Sequence, residues 1–233
     1  MMNNSRWVEI TGPDGGVFSG YLSLPPAGKG PGIVLVQEIF GVNEHIRAVA
    51  DQFAMDGFVV LAPDVFWRQQ PRVELGYDES GFVRGRALKA GLDFAQTVGD
   101  LSAAASALRG LPELTGKVAS VGYCMGGLLS YLLAASGSVD AAVCYYGAGI
   151  DGYLDQAERI KCPMLFHFGE QDGLIPPIAV KAVSKAFAQK ADAWVQTYTG
   201  VDHGFNCWAR PMYNQAAAAL ARGRTLEFLS IYL

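Results

Sequence analysis

Cysteine, histidine and net charge are all scarce in this sequence, and each scarcity excludes a class of protein. Cys124, Cys144, Cys162 and Cys207 are too few and too far apart for a disulfide framework, and no two form a C-x-x-C pair. Only three histidines occur, His45, His167 and His203, and none clusters with a cysteine, so neither a metal site nor a cofactor is expected. Eighteen Lys and Arg against 22 Asp and Glu leave a net charge of -4, which gives no basic footprint for nucleic acid. No apolar run approaches the roughly 18 residues that a membrane span requires. The stretch Met1-Met2-Asn3-Asn4-Ser5-Arg6-Trp7 lacks the apolar segment of a signal peptide. The expectation is a cytoplasmic protein with small-molecule partners, folded as one domain over residues 1–233. That length can bury a substantial core. The oligomeric state is left open, with a monomer among the states allowed.

One stretch organises the rest: Val118-Ala119-Ser120-Val121-Gly122-Tyr123-Cys124-Met125-Gly126-Gly127, continuing into Leu128-Leu129-Ser130-Tyr131. A short apolar run of strand character ends in small residues around a cysteine, and a helical pattern begins at once. This is the G-x-S-x-G nucleophile elbow with cysteine in place of serine. A sharp strand-to-helix turn needs small neighbours two positions from the nucleophile, so that helix and strand can close on each other. It also places the Met125 N–H at a helix N-terminus, aimed at a developing oxyanion. On its own the pattern is equally that of a core cysteine beside glycines that merely let a helix pack.

The remainder of the chain decides between these readings. Trp7–Ile10 and Val17–Leu24 flank the turn cluster Gly12-Pro13-Asp14-Gly15-Gly16 and predict an antiparallel hairpin. Ile33–Val36, Phe58–Ala62, Ala141–Tyr146, Pro163–Phe168 and Trp194–Tyr198 are apolar runs of strand length, suited to a parallel sheet covered on both faces. Helices are expected from an Asn43 cap to Met55, then over Arg84–Thr97, Asp100–Leu108, the elbow helix, Ile178–Gln189 and Tyr213–Leu229. The alternation predicts an α/β fold, a doubly wound and mostly parallel sheet with helices on both faces and the hairpin at one edge. Between Asp64 and Gly81 the pattern breaks, and Phe66, Trp67 and Tyr77 there either line a pocket or cover the core.

In such a sheet, reactive groups belong at the carboxyl ends of strands. Asp172 follows the strand ending at Phe168, and His203 follows the strand ending at Tyr198. The order Cys124, Asp172, His203 is the nucleophile–acid–base order of α/β-hydrolases. A single Asp in a Gly-rich turn, or a single histidine, is usually structural; three roles arising in order at three strand ends favour a catalytic triad. His167 reads as a hydrogen-bonded core residue and His45 as a residue near the mouth of the site. Gln37-Glu38-Ile39-Phe40-Gly41 follows the first long parallel strand, where the Ile39 N–H is placed to join that of Met125 in an oxyanion hole. Glu38 reads either as a carboxylate at the surface or tied to an arginine, or as a pocket carboxylate that alters the ionisation of Cys124.

These residues resemble the dienelactone hydrolase (carboxymethylenebutenolidase) family, an α/β-hydrolase family. The matching segments are Gln37–Asn43, Pro63-Asp64, Gly99-Asp100-Leu101, Val121–Gly127, Tyr145-Tyr146-Gly147, Gly169–Asp172 and Asp202-His203. The resemblance implies that Glu38 keeps the Cys124 thiol neutral at rest and takes its proton when substrate binds. The thiolate then opens a lactone through a thioester, and His203, oriented by Asp172, assists the water that hydrolyses it. Phe40, Arg84, Arg86 and Tyr146 fall where the family builds its substrate pocket. Two arginines hold the substrate carboxylate in that family. Phe82 and Cys207 stand in their places here, with Arg84, Arg86 and Arg210 as neighbours.

The first expectation is therefore a cysteine-dependent hydrolase of small dienelactone-type lactones. The alternatives are a carboxylesterase or thioesterase using the same triad on another, neutral acyl substrate, and, more remotely, a non-catalytic ligand-binding scaffold.

Overall fold

The computed structural model describes residues 4–233, so the first three residues of the amino-terminal stretch lie outside it. Strands β1 (Ser5–Thr11) and β2 (Val17–Ser23) form the expected antiparallel hairpin. The parallel strands are β3 (Gly30–Val36), β4 (Val59–Pro63), β5 (Leu114–Tyr123), β6 (Ala141–Tyr145), β7 (Met164–Gly169) and β8 (Ala193–Tyr198). Together they make one eight-stranded sheet in the order β1-β2-β4-β3-β5-β6-β7-β8, with β2 antiparallel to β4 and every pair from β4 onward parallel. Strands β3, β4 and β6 are buried almost throughout, which explains their unbroken apolar sequence.

The helices are α1 (Glu44–Met55), α2 (Glu79–Ala90), α3 (Phe94–Arg109), α4 (Met125–Ala135), α5 (Pro177–Ala186) and α6 (Gln215–Tyr232). Asn43 caps α1 by accepting from the Ile46 N–H at 3.2 Å. The break between α2 and α3 corrects the expected boundary. Asp93 caps α3 through the Gln96 N–H at 3.0 Å, so the second helix starts at Phe94 and Thr97 lies within it. A run of 3-10 turns over Ile150–Arg159 was not foreseen, because its mixed polar sequence has no long period. Adjacent residues of β5 separate the layers. A side chain at Gly122 would collide with the Gly126 carbonyl of α4, whereas Tyr123 shares a cavity with Val49 of α1 and Ala218 of α6. Successive strand residues face opposite ways, so α4 covers one face and α1 and α6 the other. No helix among the described residues is long and apolar enough to cross a membrane.

The 64–81 segment is pinned rather than loose. Asp64 is buried and accepts from the backbone N–H groups of Phe66 (3.0 Å) and Arg72 (2.6 Å). Asp100 accepts from Nε and Nη2 along one edge of the Arg68 guanidinium, both at 2.8 Å, and from the Trp67 indole N–H at 2.9 Å. Phe66 is fully buried and Trp67 stacks on Phe18 with ring centroids 5.1 Å apart, so both cover the core. Tyr77 alone of the three turns to the pocket, its ring 4.6 Å from that of Phe40.

Candidate active site

Cys124 sits between β5 and α4 with φ 55° and ψ -114°, a conformation that L-residues rarely adopt. Two groups hold it there. Its N–H donates to the Tyr145 carbonyl at 3.0 Å, and its carbonyl accepts from Gly127 at 2.9 Å. The flanking glycines are obligatory: a Cβ at Gly126 would run into the carbonyls of Val36 and Gln37. Tyr146, at the end of β6, also has positive φ, and its buried hydroxyl has no hydrogen-bond partner.

Asp172 and His203 meet at the ends of β7 and β8. His203 Nδ1 lies 2.8 Å from Asp172 Oδ2, and Asp172 Oδ1 accepts from the Leu174 N–H at 2.8 Å. The neighbouring Asp202 braces both loops, accepting from the backbone N–H groups of His203 (2.6 Å) and Gly173 (3.4 Å). Burial opposes a charge on His203, but its bond to the Asp172 carboxylate and the nearness of the Cys124 sulfur outweigh that and raise its pKa to about 10. The Nε2 edge faces the thiol side without a well-formed hydrogen bond in this arrangement.

Glu38 is 1 % exposed and Arg210 is 7 % exposed, and they form a buried pair at 3.4 Å between Arg210 Nη1 and Glu38 Oε1. Burial raises the proton affinity of Glu38, with Arg210 and then His203 pulling the other way. Glu38 Oε2 and Arg210 Nε are left without partners. The Arg210 guanidinium lies over the rings of Phe82 (5.3 Å) and Phe40 (5.8 Å). It reaches this position because Gly204, at φ 80°, leaves the space that a side chain would fill. Gln37 fixes the backbone on either side of Glu38, accepting from Val65 N–H at 3.2 Å and donating to the Glu38 carbonyl at 3.3 Å. Cys207 is buried beside Tyr77, and burial followed by the Glu38 charge pushes its thiol up to about 12.

The Ile39 and Met125 peptides lie at the ends of the adjacent strands β3 and β5, and Gly85 of α2 packs on the Ile39 carbonyl at a distance no Cβ would permit. Phe40 is buried against Tyr77, Phe82 and Arg210. Arg84 is not brought to the site: it is exposed on α2 and donates to Gln70 at 2.6 Å. Arg86 is likewise exposed, 6.0 Å from the Phe82 ring. The cation inside is Arg210, which sequence reasoning noted only as a neighbour of Cys207. The signal was Gly204, six residues upstream. His45 is buried against Trp208, with ring centroids 4.1 Å apart; burial and then the Arg210 charge lower its pKa to about 4. His167 is a core residue, bonded to Tyr198 (2.8 Å) and Thr225 (3.0 Å).

A strained elbow at a strand end, an imidazole paired to a carboxylate, and parallel strands with an antiparallel edge define the α/β-hydrolase class. The chain belongs to the dienelactone hydrolase family, whose model matches residues 18–233. It is 36 % identical to carboxymethylenebutenolidase 1 of Cupriavidus pinatubonensis over 228 residues, 97 % of each chain. It is 37 % identical to the carboxymethylenebutenolidase of Pseudomonas putida over 224 residues, 96 % of this chain and 95 % of that one. A crystal structure of a candidate dienelactone hydrolase from Klebsiella pneumoniae superposes with a TM-score of 0.84 at 29 % identity, covering 99 % of this chain and all of that one. The chain is accordingly a hydrolase.

Proposed function

We propose that this chain opens small dienelactone-type lactones, with Cys124 as nucleophile, His203 and Asp172 completing the triad, and the N–H groups of Ile39 and Met125 stabilising the oxyanion. The observation that carries the reading is the buried Glu38–Arg210 pair beside that triad. Burial raises the proton affinity of this carboxylate, and the largest offset to that comes from one cation, Arg210. A substrate carboxylate that takes the guanidinium removes that cation, and Glu38 then becomes a better acceptor for the thiol proton.

The thiolate sulfur forms a bond to the lactone carbonyl carbon, and the ring C–O bond breaks to leave a thioester and an enolate. His203 then takes a proton from water as the water attacks the thioester carbonyl; the C–S bond breaks, the Cys124 sulfur leaves as thiolate and regains a proton, and the product carboxylate departs. Arg210 serves as the carboxylate clamp in place of the family's residue at Cys207, and Phe40 and Tyr146 wall the acyl pocket. Phe82, where the family carries its other arginine, supports the second reading: a neutral ester handled by the same triad.

One continuous sheet supports a single domain, and the four free, widely spaced cysteines support a cytoplasmic setting. The test is hydrolysis of a carboxylate-bearing dienelactone beside a neutral aryl ester, with Cys124→Ala as control. Cys124→Ala is expected to abolish turnover of both while the thermal midpoint stays within a few degrees. Activity retained in that variant refutes the nucleophile, and a preference for the neutral ester replaces the substrate assignment.

A further inference from the structure

On the sheet face opposite α4, a cavity of about 300 Å³ opens between α1, α6 and the loop after His203. Its floor is Tyr123 and Tyr145, Asn206 and Trp208 form one side, and Gln52 and Arg222 stand at the rim. Cys124, Asp172, His203 and Glu38 do not line it, so it is a separate space behind the nucleophile strand.

The polar groups here are unbalanced. Tyr123 is 2 % exposed, and no hydrogen bond among the described residues engages its hydroxyl, whereas that of Tyr145 is taken by Thr225 at 2.6 Å. Arg222 uses Nη2 on the Asp56 carboxylate and on the Gln52 carbonyl (3.4 Å), while no hydrogen bond among the described residues engages its Nε or Nη1 donors. Its charge reaches both tyrosines, favouring their ionised forms against the stronger effect of burial. Flat aromatic walls therefore surround unused donors: a guanidinium edge, a phenol hydroxyl and side-chain amides.

We propose that this cavity is a second small-molecule site that takes a planar carboxylate, its ring on the tyrosine floor beside Trp208 and its carboxylate on Arg222 and the Tyr123 hydroxyl. Hydrolysis of a lactone or ester creates a carboxylate, so on the reading above the reaction's own product belongs to the class of ligand admitted. Asn206 and Trp208 stand on the loop that carries His203 and Arg210, which connects occupancy of the cavity to the catalytic loop.

The test is calorimetric titration of the full chain with benzoate and, separately, with its neutral isostere benzamide. Benzoate is expected to bind at least tenfold more tightly than benzamide. Arg222→Gln should weaken benzoate by about tenfold or more, as loss of a charge-assisted bond predicts. Tyr123→Phe, which removes one hydroxyl and no packing, should weaken it as well, and it keeps the test sound if Arg222→Gln fails to fold. The loss caused by Arg222→Gln should be of the same size when it is added to Arg210→Gln, which separates this site from the other cation. No binding up to about 10 mM, equal binding of benzamide, or loss of binding in Arg210→Gln alone would overturn the proposal. Because binding is read without turnover, failure here is distinct from failure of the lactone hydrolase reading, which the ester and lactone assay reports.

Discussion

Replacing Arg210 by Gln removes the cation from a pair in which both side chains are buried, and the cost should depend on pH in a defined direction. If Glu38 stayed ionised, the stranded charge would cost about 3–5 kcal/mol. It has a cheaper alternative, since burial already raises its proton affinity and loss of Arg210 raises it further. Below the ordinary carboxyl pKa of about 4.3 the residue is protonated in both folded and unfolded chains, and the charge term vanishes. Above it, the unfolded chain releases the proton while the folded variant keeps it. Stability then falls by up to roughly 1.4 kcal/mol per pH unit until the folded-state pKa is reached. Wild type shares the raised proton affinity of Glu38 to a smaller degree, so the deficit relative to it should open only above the wild-type folded-state pKa and grow with pH until that of the variant is reached, and the double variant Glu38→Gln with Arg210→Gln should recover most of it. Urea unfolding of the three proteins at pH 5, 6, 7 and 8 measures this. A deficit that is the same at every pH, or one that the double variant does not relieve, would mean that Arg210 acts by packing on Phe40 and Phe82 and not through Glu38. In catalysis the same variant should lose about ten- to a hundredfold in kcat/KM on the carboxylate-bearing lactone, and little on a neutral ester.

Two further outcomes probe the thiol's surroundings. Glu38→Gln should change the rate at which iodoacetamide alkylates Cys124 in the absence of substrate; an unchanged rate assigns the thiol proton to His203 alone. Asp172→Asn should lower the His203 midpoint, followed by ring NMR shifts, by roughly 1–3 pH units. Because the folded-state pKa of His203 lies above its ordinary 6.5, the stability it contributes is complete below 6.5 and lost as pH rises to about 10. Asp172→Asn should compress that window, and a midpoint that does not move would remove the carboxylate as its cause.

Much of the fold was legible because its signals are local. Strands buried on both faces must be continuously apolar, and an Asn before an amphipathic stretch caps a helix, so β3, β4, β6 and α1 could be read directly. The α2–α3 boundary was misjudged because Gly91-Leu92-Asp93 carries the stop and the cap within three residues. The elbow, Asp172 and His203 were visible as residue types at strand ends, where chain order alone suffices. What escaped was the identity of the buried cation. A position-by-position comparison finds Cys207 and Phe82 where arginines are expected and points to Arg84 and Arg86, which share α2 with Phe82. Whether a side chain three residues away can reach the same space depends on backbone course, and here on a left-handed glycine that clears a path.

That substitution bears on how the site tolerates change. Arg210 reaches Glu38 across Gly204 and lies over the rings of Phe40 and Phe82. On the proposed reading, one buried cation would grip a substrate carboxylate at one end only, and apolar contact with Phe40 and Phe82 would set the rest of its orientation. Discrimination should then rest more on the shape of the acyl portion, and an added methyl group against Phe82 should change kcat/KM more than moving the carboxylate within reach of Arg210.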